Sequence, residues 1–150
     1  MKKIYLSVVC LLISIPLIAQ LYVEPEKEVE CSVFLAKEGR GRAQQGLEIW
    51  DDYIFSCEDG GHVNIYDFKS ADPKPVAGFE LASSHPDNHV NNVCFGVETK
   101  RGASFPLLYI TNGKVGSELE WLCFVESITR RGKRFSSEIV QTIELDGSKW

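Results

Sequence analysis

The sequence is poor in the local signatures of catalysis. It has no GxSxG elbow, no HExxH helix pair and no GxxxxGK phosphate cradle, so the α/β-hydrolase, zinc-protease and P-loop enzymes that carry those motifs are not signalled. No CxxC pair is present, so neither a zinc ribbon nor a dithiol redox motif is encoded. The run "EDGG" (58–61) lacks the D-x-D-x-D-G oxygen series of a calcium loop and reads as a hairpin turn. "GRGR" (39–42) lacks a following GxxG, and Ser117 has no local base. Adjacent Asp51 and Asp52 would point apart on a strand, so turn use is the better reading than acid–base work. Basic residues are also short. Sixteen Lys and Arg against 21 Asp and Glu leave a formal charge of −5, which argues against nucleic acid as a partner. Beyond residue 19 nothing sustains the i, i+3, i+4, i+7 apolar spacing of an amphipathic helix.

What is present begins with "MKKIYLSVVCLLISIPLIAQ". Two lysines precede an apolar run from Ile4 to Ala19, the layout of a secretory signal peptide, here a signal helix over 1–19 with cleavage expected after Ala19. The run is short for a membrane span, holds Pro16 and is followed by the acidic "VEPEKEVE". Export to a periplasmic or extracellular compartment follows, with no membrane attachment after cleavage. Loss of Lys2 and Lys3 moves the charge from −5 to −7, and about 131 of the 150 residues remain, one domain by length. Cys31, Cys57, Cys94 and Cys123 survive; the last three sit in apolar strand-like runs and read as buried free thiols. One disulfide is compatible with export, with no pair singled out.

Short β-branched and aromatic runs separated by Gly, Asn, Asp and Pro recur instead of helices, which predicts an all-β chain. The expected strands are 31–36, 46–50, 53–58, 62–68, 76–81, 90–98, 107–112, 121–128 and 138–145. Four of them recur in order. "LEI" (47–49) answers "VCF" (93–95), "YIF" (53–55) answers "LYI" (108–110), "VNIYD" (63–67) answers "LCFVE" (122–126), and "FEL" (79–81) answers "IEL" (143–145). The offset grows from 46 residues (47 to 93) to 64 (79 to 143), as when loops lengthen and strands do not. The expected organisation is a signal peptide at 1–19, an N-terminal arm at 20–43 carrying the strand 31–36, one four-stranded antiparallel meander at 44–83 and a second at 84–150.

These residues, "QQGLEIWDDYIFSCEDGGHVNIYDF" (44–68), then "HVNNVCFGVE", "FPLLYITNG" and "EWLCFVESI", resemble the blades of secreted β-propeller proteins of the six- to eight-bladed YVTN or TolB-like group. The WD and Gly-His signatures of WD40 blades are out of register: Trp50-Asp51 ends the first strand and Gly61-His62 lies in a hairpin. The resemblance implies an incomplete propeller, because two blades cannot close a ring, and therefore a fragment of a longer protein; the alternatives are a chain that self-associates through exposed blade faces and a small closed sandwich. The function it implies is an exported binding or scaffold module whose partner is a protein or a glycan. The alternative is part of a propeller-type extracytoplasmic enzyme, a lyase, hydrolase or quinoprotein-like oxidoreductase, with a site built from several blades. No catalytic residue, cofactor or metal is assigned, and the balance favours a chain that is not itself an enzyme.

One stretch concentrates polar chemistry, "SSHPDNHVNNVCFGVE" (83–98). His85, Asp87, His89 and Asn91 are the candidate ligand contacts, since alternate residues of a strand project from one face. The competing reading is a blade junction, in which Asp and Asn cap their own backbone. "TRRGKR" (129–134) reads as a solvated basic hairpin rather than an anion site.

Overall fold

Eight strands run through the described part of the computed structural model, residues 43–145 apart from Pro73 and Lys114. The expected signal peptide, the expected arm with its strand 31–36 and the last five residues lie outside it. The strands are β1 (Gln44–Trp50), β2 (Tyr53–Glu58), β3 (His62–Asp67), β4 (Ala77–Glu80), β5 (Asn92–Phe95), β6 (Leu108–Thr111), β7 (Leu122–Arg131) and β8 (Arg134–Glu144). They form two four-stranded antiparallel sheets, β1-β2-β3-β4 and β5-β6-β7-β8. Among the described residues there is no helix, and so none long and apolar enough to cross a membrane. The all-β expectation and the two successive four-stranded meanders are observed.

The first sheet follows its sequence closely. Tyr53, Phe55 and Cys57 alternate with Ile54, Ser56 and Glu58, and pairing of Phe55 with Ile65 and of Cys57 with Val63 keeps one apolar set on one face. Trp50 pairs with Tyr53 across a two-residue link whose first member, Asp51, has φ 52°, a conformation that a short polar side chain tolerates.

The second sheet departs from expectation at both ends. β5 covers only 92–95 rather than 90–98, because the chain is still turning at Val90. That residue has φ 46° and a fully buried side chain, a strained state for a β-branched residue that its surroundings must enforce. β7 and β8 are longer than expected, since pairing runs through the basic segment to Arg131 opposite Arg134. Gly132, at φ 64°, then opens the two-residue turn.

The sheets stack with β1 against β5 and β4 against β8. A Cβ on Gly46 would stand 2.9 Å from Val93 Cγ2 and 3.1 Å from the Val90 carbonyl, so only glycine allows β1 and β5 to approach this closely. Phe55, at the centre, meets Phe95 and Phe105 edge-on at 5.0 and 5.2 Å, and Phe79 stacks on Phe135 at 6.1 Å. The faces turned away from this core are apolar too. Ile54 and Tyr66 on the first sheet and Val125 on the second are buried there, beside exposed Leu47 and Ile49.

A carboxylate crosses between the sheets. Glu126 of β7 is fully buried, and its Oε2 and Oε1 accept the backbone N–H groups of Ala82 (3.0 Å) and Ser83 (2.8 Å), just after β4. Ser137 Oγ accepts from the same Ala82 N–H at 2.9 Å.

The cysteines correct one expectation. Cys57 and Cys123 are buried free thiols, but Cys94 is exposed, because it alternates with the inward Val93 and Phe95 and faces away from the core. Burial, reinforced by Glu126, pushes the Cys57 thiol up to about 12 from 9.0. An unfolded chain would ionise this thiol near 9 while the folded chain holds its proton, so its contribution is intact below about pH 9 and is lost as pH rises towards 12. Unfolding free energy is expected to fall by up to about 1.4 kcal/mol per pH unit in that window from this group. Cys57→Ala should flatten the slope in urea melts taken across it; an unchanged slope would contradict the assignment.

Candidate functional site

Antiparallel pairing sorts the loops to two ends of the sheets. At one end lie the β2–β3 turn, the crossover 81–91 and the β6–β7 connection. At the other lie the β1–β2 turn, the 96–107 connection and the β7–β8 hairpin.

The four candidates of the polar stretch fall at the first end and serve the crossover separately. His85 is exposed, and its Nδ1 accepts from the Asp87 N–H at 3.1 Å. The Asp87 carbonyl accepts from Asn112 Nδ2. His89 Nδ1 lies 2.7 Å from Asp59 Oδ1, with both side chains about one-third exposed; a carboxylate there makes Nδ1 the donor and leaves Nε2 as the acceptor. The Asn91 N–H donates to the Thr111 carbonyl, and its side chain lies so near Gly113 that a Cβ there would collide with it. Among the described residues no group of three His, Cys, Asp or Glu is placed to hold a metal ion.

The hub of this end is a residue outside those four, Asn88. It is fully buried; its Nδ2 donates to the Ser83 carbonyl (2.9 Å), its Oδ1 accepts from the Val90 N–H (3.2 Å), and its carbonyl accepts from the Gly60 N–H (2.7 Å). Asn88→Ala strands a buried carbonyl and a buried amide and is expected to cost about 2 kcal/mol. The urea midpoint measures this, and a loss under 0.5 kcal/mol would show that water replaces both bonds, by the same range.

The opposite end holds a cleft of about 480 Å³ between the β1–β2 turn, the 104–105 segment and the β7–β8 hairpin. Trp50, Tyr53 and Phe105 form apolar walls, and Asp51, Ser104 and Arg130 supply the polar groups. The Arg130 guanidinium lies 4.9 Å over the Tyr53 ring and 5.8 Å from that of Phe135. Its Nε donates to the Gly132 carbonyl at 2.8 Å, and its backbone N–H donates to Ser104 Oγ at 2.9 Å. Trp50, 41 % exposed, is braced edge-on against Phe95 at 5.7 Å. Sequence reading missed this site. Trp50-Asp51 and "TRRGKR" were both visible, but only stacking of the sheets brings them together.

No family model matches the chain. A search of curated proteins likewise finds no match.

Proposed function

We propose that the chain is an exported binding module built from two propeller-type blades, with the Trp50–Arg130 cleft as its contact site. One observation carries this reading: two meanders of identical strand order stack first strand on first strand and last on last, while apolar residues also occupy the outward faces. A two-sheet sandwich needs apolar residues on its inner faces only. A blade inside a ring needs them on both. The leader-like residues 1–19 support export.

The cleft supports binding rather than turnover, since it joins a platform of rings to a fixed cation. The enzyme reading is favoured by one feature, the Asp59–His89 pair, whose Nε2 could take a proton. The two separate in one experiment. The full chain, labelled with ¹⁵N, is titrated with panels of oligosaccharides and peptides while the mixtures are assayed for products. Binding predicts saturable shifts at residues 50–53, 104–105 and 130–134 with every ligand recovered intact. Consumption of a ligand, abolished by His89→Ala, would establish the enzyme reading instead.

A further inference from the structure

We infer that the cleft recognises a carboxylated sugar, a uronate, with Arg130 holding the carboxylate and the aromatic walls taking the apolar face of the ring. The inference rests on the binding-module reading and names its ligand class. Its first support is the way Arg130 is held. Ring stacking and the bond from Nε to the Gly132 carbonyl fix the guanidinium, and its two terminal nitrogens have no partner among the described residues. A planar, pre-oriented fork of this kind matches the two oxygens of a carboxylate, and ordering it in advance removes an entropy cost from binding.

Charge placement is the second support. In a chain of net charge −5, Arg130, Arg131, Lys133 and Arg134 fall within five residues, and none of them has an ion pair among the described residues. Arg131 stands directly opposite Arg134, a like-charge arrangement that destabilises a hairpin. Arg131 and Arg134 line a second cleft beside this one, so they draw an anion towards this end of the sheets while Arg130 alone of the four lines the cleft itself.

Asp51 decides between anions. Its carboxylate lines the same cleft and makes no ion pair among the described residues. It repels any anion close to it, carboxylate and phosphate alike, but accepts hydrogen bonds from hydroxyl groups, and so favours a ligand whose charge sits at one end and whose hydroxyls lie at the other. A uronate has a carboxylate at one end, hydroxyls around the ring and an apolar face for Trp50 or Phe105. An oligodeoxynucleotide brings phosphates and no comparable row of hydroxyls. The cleft volume of about 480 Å³ falls within the range of small-ligand sites.

The test uses the full chain in calorimetric titrations with trigalacturonate, maltotriose and a short oligothymidylate. Trigalacturonate is expected to bind about tenfold or more tightly than maltotriose, and to weaken as salt rises from about 50 to about 500 mM. Arg130→Gln should remove that preference. Arg130→Lys, which keeps the stem and the charge, should lose most of it because the fork is gone. Trp50→Ala should weaken both sugars alike. Amide dispersion of each variant verifies folding, and Asp51→Asn, at an exposed turn, offers a second variant expected to let oligothymidylate compete. Equal affinity for the acidic and neutral sugars, tighter binding of oligothymidylate by the unaltered chain, or an undiminished preference in folded Arg130→Gln would each overturn the inference. If uronates fail while another ligand shifts the cleft amides, the ligand class is wrong and the binding-module reading stands. If nothing shifts those amides, both fall.

Discussion

Phe55→Ala is expected to lower the unfolding free energy by about 4 kcal/mol, the largest loss of any single truncation considered, read as a fall in urea midpoint with little change in slope. Phe55 is fully buried on β2 and sits among Phe95, Phe105 and Phe135, with centroids at 5.0, 5.2 and 6.4 Å and ring planes near perpendicular. Truncation removes its apolar burial and leaves a cavity between two sheets that cannot close over it, since Gly46 and Val93 already hold β1 and β5 in contact. Each lost ring pair adds roughly 0.5–1.5 kcal/mol. Against a total stability of about 5–15 kcal/mol for a domain, the variant is left near its threshold. Phe55→Leu, which refills most of the volume, should cost only about 1–1.5 kcal/mol. Similar small losses for both would mean that the four rings do not share one core.

Glu126→Ala should cost about 3 kcal/mol in the same assay. The substitution removes the acceptor that the buried Ser83 N–H relies on and one of the two that serve the N–H of Ala82, a more exposed residue. Glu126→Gln should cost less, about 2 kcal/mol, because its amide keeps one acceptor and turns a donor towards a donor. Ser137→Ala alone should be mild. Combined with Glu126→Ala it should cost more than the two losses added together, since the pair shares the Ala82 N–H and only the double variant leaves that group bare. Strict additivity would show that Ala82 finds another acceptor. Because Glu126 also helps hold up the Cys57 thiol, the variants should soften the loss of stability above pH 9.

The first sheet was legible because its information is local. In β2 the observed bounds, 53–58, are those expected from alternation between two acidic turns. The second sheet was less so, for two reasons. Gly132 and its cations look like a loop in isolation, yet register carries β7 and β8 through them. Val90 looks like a strand residue, yet the buried Asn88 beside it sets the backbone turn. The site divides in the same way. His85, Asp87, His89 and Asn91 announce themselves by composition, and each is engaged in or beside the crossover. Trp50, Phe105 and Arg130 announce nothing, being unremarkable residues far apart in sequence, and meet only when β1 stacks on the second sheet. A cleft between stacked sheets leaves no mark on any short stretch.

The Glu126 carboxylate also has a bearing on how the protein is made. Ser83 leaves the ribosome 43 residues ahead of the group that accepts its N–H. At roughly 5–20 residues per second that is a delay of roughly 2 to 9 seconds. During it the first meander can pair its strands while its trailing end stays unfastened, so the nascent chain has a window in which a chaperone, or a neighbouring copy, can reach that loose end before its own downstream half secures it.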